Sequence, residues 1–276
     1  MARVPTADGY AVHAEAHGEG TPIVFSCALA TTHENWRPQV APLVAAGMRV
    51  VLWDYRGHGL SDAPEDLAAY ALERVVDDLA RVLDQAAPGE PAVLAGLSFG
   101  GLASLHLALR EPKRARALVL VGSGPGFKNA DAQARWEAMV ERTASFVENK
   151  GMRAFVDGRA APTLVGLHPE TPAARAAADA IAAQVPHGIA NFARRVTGPA
   201  KSVIDQLGQI DAPALVMVGE RDEQFLRAAD VLAARLPRAT RVVFPGAGHI
   251  LNLDAPEEFD ATLLRFLREC GLARAA

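Results

Sequence analysis

Short runs of aliphatic and β-branched residues punctuate the chain, the clearest being "PIVFS", "MRVVLW", "AVLAG", "ALVLVG", "ALVMVG" and "RVVF". Several are apolar at consecutive rather than alternate positions, which is the pattern of strands buried on both faces. Between them lie longer stretches such as "ERVVDDLARVLDQAA" and "PEEFDATLLRFLREC", whose apolar residues recur three and four apart and predict amphipathic helices. Strands alternating with helices specify an α/β fold, a doubly wound and mostly parallel sheet. The N-terminal "MARVPTADGYAVHAEAHGEG" departs from this, alternating polar with apolar residues. The strand rhythm also lapses from 124 to about 201, where alanine, arginine and helix formers dominate between "GPG", "HPETP" and "VTGP". Because "DAPALVMVGE" then resumes the earlier pattern, the lapse is a helical insertion between two core strands. The division is a core over 1–123 and 204–276 with an insertion over 124–203.

Composition narrows the partners. Half of the 276 residues are hydrophobic, enough for a sizeable core, and no apolar run approaches the roughly 18 residues of a membrane span. The 28 basic and 32 acidic residues are spread along the chain, leaving a net charge of -4 and neither a nucleic-acid stripe nor a polybasic anchor. With only Cys27 and Cys270, no disulfide framework is indicated and a reducing, cytoplasmic setting is expected. The expected partner is a small organic molecule, and the expected state a monomer or homodimer. No cofactor is implied: "LVLVGSGPGF" lacks a complete GxGxxG and is interrupted by Pro125. No metal site is expected either, since HxH, HExxH and CxxC spacings are missing.

One serine stands out. In "AVLAGLSFGGLASLHLALR", Ser98 falls where a strand turns into a helix, with Gly96 and Gly100 two residues to either side. A sharp strand-to-helix turn throws the serine out at the top of the sheet, and the flanking glycines clear space that a Cβ would fill. The following helix points its positive end at the hydroxyl. A serine becomes nucleophilic only beside a base, itself oriented by a carboxylate. Asp222 in "ALVMVGERDEQF" and His249 in "RVVFPGAGHILNLDAPEEF" each follow a strand, in the order serine, acid, histidine. The rivals are His58 in "RGHGLSD", His168 and His187 in the insertion, and Glu220, Glu223 or Asp131 as the acid.

The elbow "GLSFGG", the turn "WDYRGHGLSD", and the segments "GERDEQF" and "GAGHILNLDAPEEF" together resemble the α/β-hydrolase superfamily. The resemblance covers nearly the whole chain. It implies Ser98 as nucleophile, His249 as general acid and base, Asp222 as orienting carboxylate, and the insertion as a cap over the site. Where many members carry His-Gly, "SCALATTHENWRPQ" places Cys27-Ala28 before Leu29, similar to the Ser-Asn version of 3-oxoadipate enol-lactonases. The amides of Leu29 and Phe99 are then the oxyanion-hole candidates. An aspartate-nucleophile chemistry does not fit a serine at 98.

The expected function is a serine hydrolase for a small or medium carboxylic ester or lactone. The alternatives are a receptor-type protein with negligible turnover, or thioester, amide, carbon–carbon or perhydrolysis chemistry on the same residues. Candidate pocket residues are Phe127, Trp136, Phe146, Phe155 and Phe192, together with Cys27, which is either a small buried residue or, from its place beside Leu29, a thiol lining the pocket. Arg194 and Arg195 are candidate partners for a substrate carboxylate, or else solvated surface charges.

Overall fold

The computed structural model describes residues 2–274. An eight-stranded sheet runs through the molecule in the order β1-β2-β4-β3-β5-β6-β7-β8. Its parallel part comprises β3 (Thr21–Ser26), β4 (Met48–Trp53), β5 (Ala92–Leu97), β6 (Ala115–Val121), β7 (Ala214–Gly219) and β8 (Ala239–Phe244). β5 and β7 are buried at every position, which is why their sequences are unbroken apolar runs. β8 is an edge and is buried only at Phe244.

The alternating N-terminal segment forms two strands that the apolar runs do not reveal, β1 (Ala2–Pro5) and β2 (Ala11–His17). They make an antiparallel hairpin in the register Val4 to Val12, and β2 pairs antiparallel with β4. Only β1, at the edge, is open to water on one face, with Arg3 and Pro5 exposed on either side of buried Val4. β2 is buried on both faces from Val12 to Glu15, and its alternation sets apolar Val12 and Ala14 against the buried polar His13 and Glu15.

Helices α1 (Val40–Ala45), α2 (Leu72–Ala86), α3 (Phe99–Arg110), α7 (Glu223–Arg235), α8 (Leu251–Asp254) and α9 (Pro256–Glu269) belong to the core. α2 shows why these segments are helical. Leu72, Val75, Val76, Leu79, Val82 and Leu83 make one buried stripe at helical spacing. Asp78 is also buried there and takes a two-pronged hydrogen bond from Arg56, at 2.8 and 2.9 Å. This buried pair fixes the "RGHG" turn to the helix layer.

Between β6 and β7 come α4 (Ala130–Val156), α5 (Pro172–Ala182) and α6 (Pro186–Phe192), with no strand among the described residues of that stretch. α4 kinks at Gly151, whose φ is 80°. Among the described residues no helix is long and apolar enough to cross a membrane.

Candidate active site

The C-terminal ends of β3, β5, β6, β7 and β8 gather at one edge of the sheet. That is where open α/β sheets place their ligands. Ser98 follows β5 with φ 55° and ψ −117°, one of two non-glycine residues with positive φ among those described. Such a backbone is strained and persists only when its surroundings impose it. The imposition is steric. A Cβ on Gly96 would lie 2.1 Å from the carbonyl carbon of Gly100, and one on Gly100 would lie 2.3 Å from the carbonyl oxygen of Ser26. The turn is further held by the Ser98 amide donating to Val121 and by the Ser123 hydroxyl donating to the Ser98 carbonyl at 2.6 Å.

Asp222 precedes α7 and His249 lies in the loop after β8, both buried. The Nδ1 of His249 and Oδ2 of Asp222 are 2.7 Å apart. Phe225 stacks on the imidazole, ring centres 4.9 Å apart and planes 26° from parallel. With Nδ1 tied to the carboxylate, Nε2 is the nitrogen left for another partner. Ser98, Asp222 and His249 all border one cavity.

Gly122, at the end of β6, has φ +48°, and a Cβ there would lie 3.0 Å from His249 Nδ1 and 3.2 Å from Asp222 Oδ2. The histidine and its carboxylate pack against this bare backbone. Gly122→Ala is therefore expected to lower kcat about tenfold or more with little change in KM, through roughly 1 kcal/mol of left-handed strain and displacement of the imidazole. Kinetics on a variant that melts within a few degrees of wild type are the check, and unchanged kcat would show that the close approach is dispensable.

The loop after β3 borders the same cavity through Ala28, Leu29 and Ala30. The amides of Leu29 and Phe99 donate to no acceptor among the described residues. Around them the loop is clamped. Ala30 has φ 65°, its amide donates to His58 Nε2 at 3.1 Å, and its carbonyl accepts from Gln184 Nε2 at 2.8 Å. Gln184 also accepts from the Gly59 amide at 2.9 Å. Tyr55 donates to the Cys27 carbonyl at 2.8 Å. Burial pushes the His58 pKa down to about 4, so the ring stays neutral and able to accept. His58, a rival for the general base, is thus a brace of this loop.

Two further loops meet at Asp254. One carboxylate oxygen accepts from the Gly248 amide at 2.7 Å and the other from the Leu167 amide of the insertion at 2.6 Å. The other rivals lie elsewhere. Glu220 accepts from the Gly246 amide at the surface, Glu223 and Asp131 are exposed, His187 faces the Ala63 carbonyl, and His168 is exposed.

The structure corrects several pocket candidates. Cys27 is 1% exposed, its thiol donating weakly to the Trp53 carbonyl, and burial pushes its pKa well up. It borders no cavity near Ser98. Phe192 is fully buried, stacked on Tyr55 and edge-on to Phe99, so it backs the elbow instead of lining the pocket. Phe146 is exposed against Phe155. Arg194 is held at the surface by Glu141 and Glu148 at 2.6 to 2.8 Å, and Arg195 is exposed. These are solvated charges, and neither reaches the site. Phe127, Trp136 and Phe155 do line the space around Ser98.

Distant in sequence, His13, His33 and Asp54 offer buried ligand atoms within 4.8 Å of one another. Asp54 Oδ2 faces His33 Nδ1 at 2.7 Å, and the carboxylate also accepts from the His33 and Leu60 amides. Burial alone would lower the His33 pKa and raise that of Asp54. Burial is the largest single influence on each, but their mutual hydrogen bond, the attraction between their charges and the neighbouring carboxylates and amides together outweigh it, shifting His33 up and Asp54 down. The cluster is an internal ion pair with its oxygens engaged.

A family model described as the alpha/beta hydrolase fold matches residues 21–256. A putative carbamate hydrolase, RutD, of Variovorax paradoxus (strain S110) is 31% identical over 266 residues, 93% of this chain and 96% of its own. The 3-oxoadipate enol-lactonase 1 of Acinetobacter baylyi is 29% identical across 86% of this chain and 85% of its own. A thermophilic esterase from Thermogutta terrifontis shares the fold, with a TM-score of 0.85 over 98% of both chains at 24% identity.

Proposed function

This chain belongs to the α/β-hydrolase fold family, and on that premise we propose that it is a serine hydrolase cleaving a carboxylic ester or lactone through an acyl-enzyme. The observation that carries the reading is the strained Ser98 sharing a cavity with a His249 whose Nδ1 is bound to Asp222 at 2.7 Å. Ser98 Oγ attacks the carbonyl carbon while His249 Nε2 takes its proton, and Asp222 steadies the imidazolium. The amides of Leu29 and Phe99 receive the oxyanion. His249 then passes the proton to the leaving oxygen and later activates water to release the acid. The insertion over 124–203 acts as the cap above these groups.

A carbamate is the second reading, supported by the likeness to the Variovorax paradoxus protein. It requires the same attack on an acyl carbon bearing nitrogen. Assaying esters, lactones, thioesters and carbamates with wild type and Ser98→Ala tests both. The fastest class identifies the chemistry, and at most one slow turnover on every class would favour a receptor-type protein.

The oxyanion role of Leu29 has its own test. Leu29→Pro deletes a backbone donor and is expected to lower kcat by roughly 10²–10³, whereas Leu29→Ala keeps the N–H and costs far less. Equal losses, measured as kcat on one ester, would mean that Leu29 acts by packing alone.

A further inference from the structure

The space above Ser98 is not one pocket but two lobes meeting at it. Counting the open mouth of each, the first offers about 590 Å³ of empty space and the second about 730 Å³. Ser98, Trp136, Gln224 and Phe225 border both. Phe99, Leu102 and Phe127 border only the first; Leu29, Phe155 and His249 border only the second. Trp136 is fixed between them, its indole nitrogen donating to the Thr197 carbonyl at 2.9 Å and its ring 5.8 Å from that of Phe127. Among the described residues bordering either lobe there is no lysine or arginine, and the only ionisable groups are Asp222 and His249, already bonded to each other.

We propose that the site takes an uncharged ester astride Ser98, its acyl chain in the lobe walled by Leu102 and Phe127 and its alcohol in the lobe that holds His249, with Trp136 as the partition that sets specificity. This rests on the serine-hydrolase reading above. The direction follows from the chemistry. When the C–O bond breaks, the acyl carbon stays bonded to Ser98 Oγ and the alcohol oxygen takes the proton from His249, so the alcohol lies on the His249 side. Water must later approach the same acyl carbon from His249. An acyl chain in that lobe would block it, whereas a departing alcohol vacates it.

The neutrality follows from the walls. A carboxylate entering either lobe gives up its water and meets no cation in return. In the second lobe it also meets the negative charge of Asp222. A neutral chain gains from burial against Leu102, Phe127 and Trp136.

The test compares ratios of kcat/KM. Ala228 borders only the first lobe and Ala160 only the second, and both are partly exposed, so larger side chains there are tolerable. Ala228→Trp is expected to lower the hexanoyl-to-acetyl ratio on a fixed alcohol at least about tenfold and to leave the hexyl-to-methyl ratio on a fixed acyl group nearly as it was. Ala160→Trp is expected to do the reverse. The opposite crossing, or both variants moving both ratios alike, overturns the assignment.

Wild type alone supplies a second arm. Monomethyl succinate and the acetyl ester of glycolate put a carboxylate on the acyl and alcohol sides respectively. Each is expected to be at least about tenfold poorer than its neutral isostere, and a smaller difference on either side overturns the neutrality. Labelling with an alkyl fluorophosphonate separates the two levels. Ser98 labelled with flat ratios sinks the lobe assignment only, while Ser98 unlabelled and no ester turned over sinks the hydrolase reading itself.

Discussion

Ser98→Ala is expected to lower kcat by at least about 10³-fold, leaving only what the oxyanion donors and binding supply. The substitution removes one oxygen and keeps the rest of the turn. Gly96, Gly100 and the Ser123 hydrogen bond to the residue 98 carbonyl still impose the backbone. The loss is therefore a loss of chemistry, to be seen in kcat on an activated ester, while the circular dichroism spectrum and melting temperature stay close to wild type. Near-normal turnover in a pure preparation of the variant would end the acyl-enzyme reading.

Asp222→Asn is expected to cost up to about 10⁴ in kcat with the fold intact. The Asp222 carboxylate accepts from His249 Nδ1, which leaves Nε2 bare to take a proton. An amide in the same place offers its NH₂ to Nδ1, drives the ring proton to Nε2, and so presents a donor where a base is needed. The adjacent carboxylates are the control. Glu220 engages the Gly246 amide at the surface and Glu223 is exposed at the start of α7, so neither changes the tautomer. Their glutamine variants should lose much less. Greater damage from either one would relocate the acid.

What the chain revealed in advance, and what it hid, divides along physical lines. The elbow was legible because its demands are local: a serine needing clearance two residues to either side can be recognised from Gly96 and Gly100 alone. The positions of Asp222 and His249 were legible because each follows an apolar strand, and parallel strands bring their ends to one edge. Gly122 was not, since its bareness matters only once the imidazole lies over it. The β1–β2 hairpin carries no apolar run because β1 is a short edge strand and β2 buries the polar His13 and Glu15 between its apolar residues. Ala30 is joined to His58 and Gln184, and Asp254 to Leu167, by hydrogen bonds across long sequence separations, which no spacing rule reports. The segment between β6 and β7 was legible as helices but not as faces. Arg194 and Phe192 lie two residues apart, yet one is held by surface glutamates and the other is sealed behind Tyr55 and Phe99.

Gln184 limits how far this molecule is modular. It belongs to the segment between β6 and β7, yet its amide joins Ala30 to Gly59, in two loops outside that segment. A chimera that kept these strands and received a foreign insertion would leave a carbonyl and an amide there without partners. Ala30 would then lose one of the contacts that hold it in a left-handed conformation. The unit that can be exchanged between relatives is thus the insertion together with the loops around Ala30 and Gly59, and substitutions in one of these pieces constrain those accepted in the others.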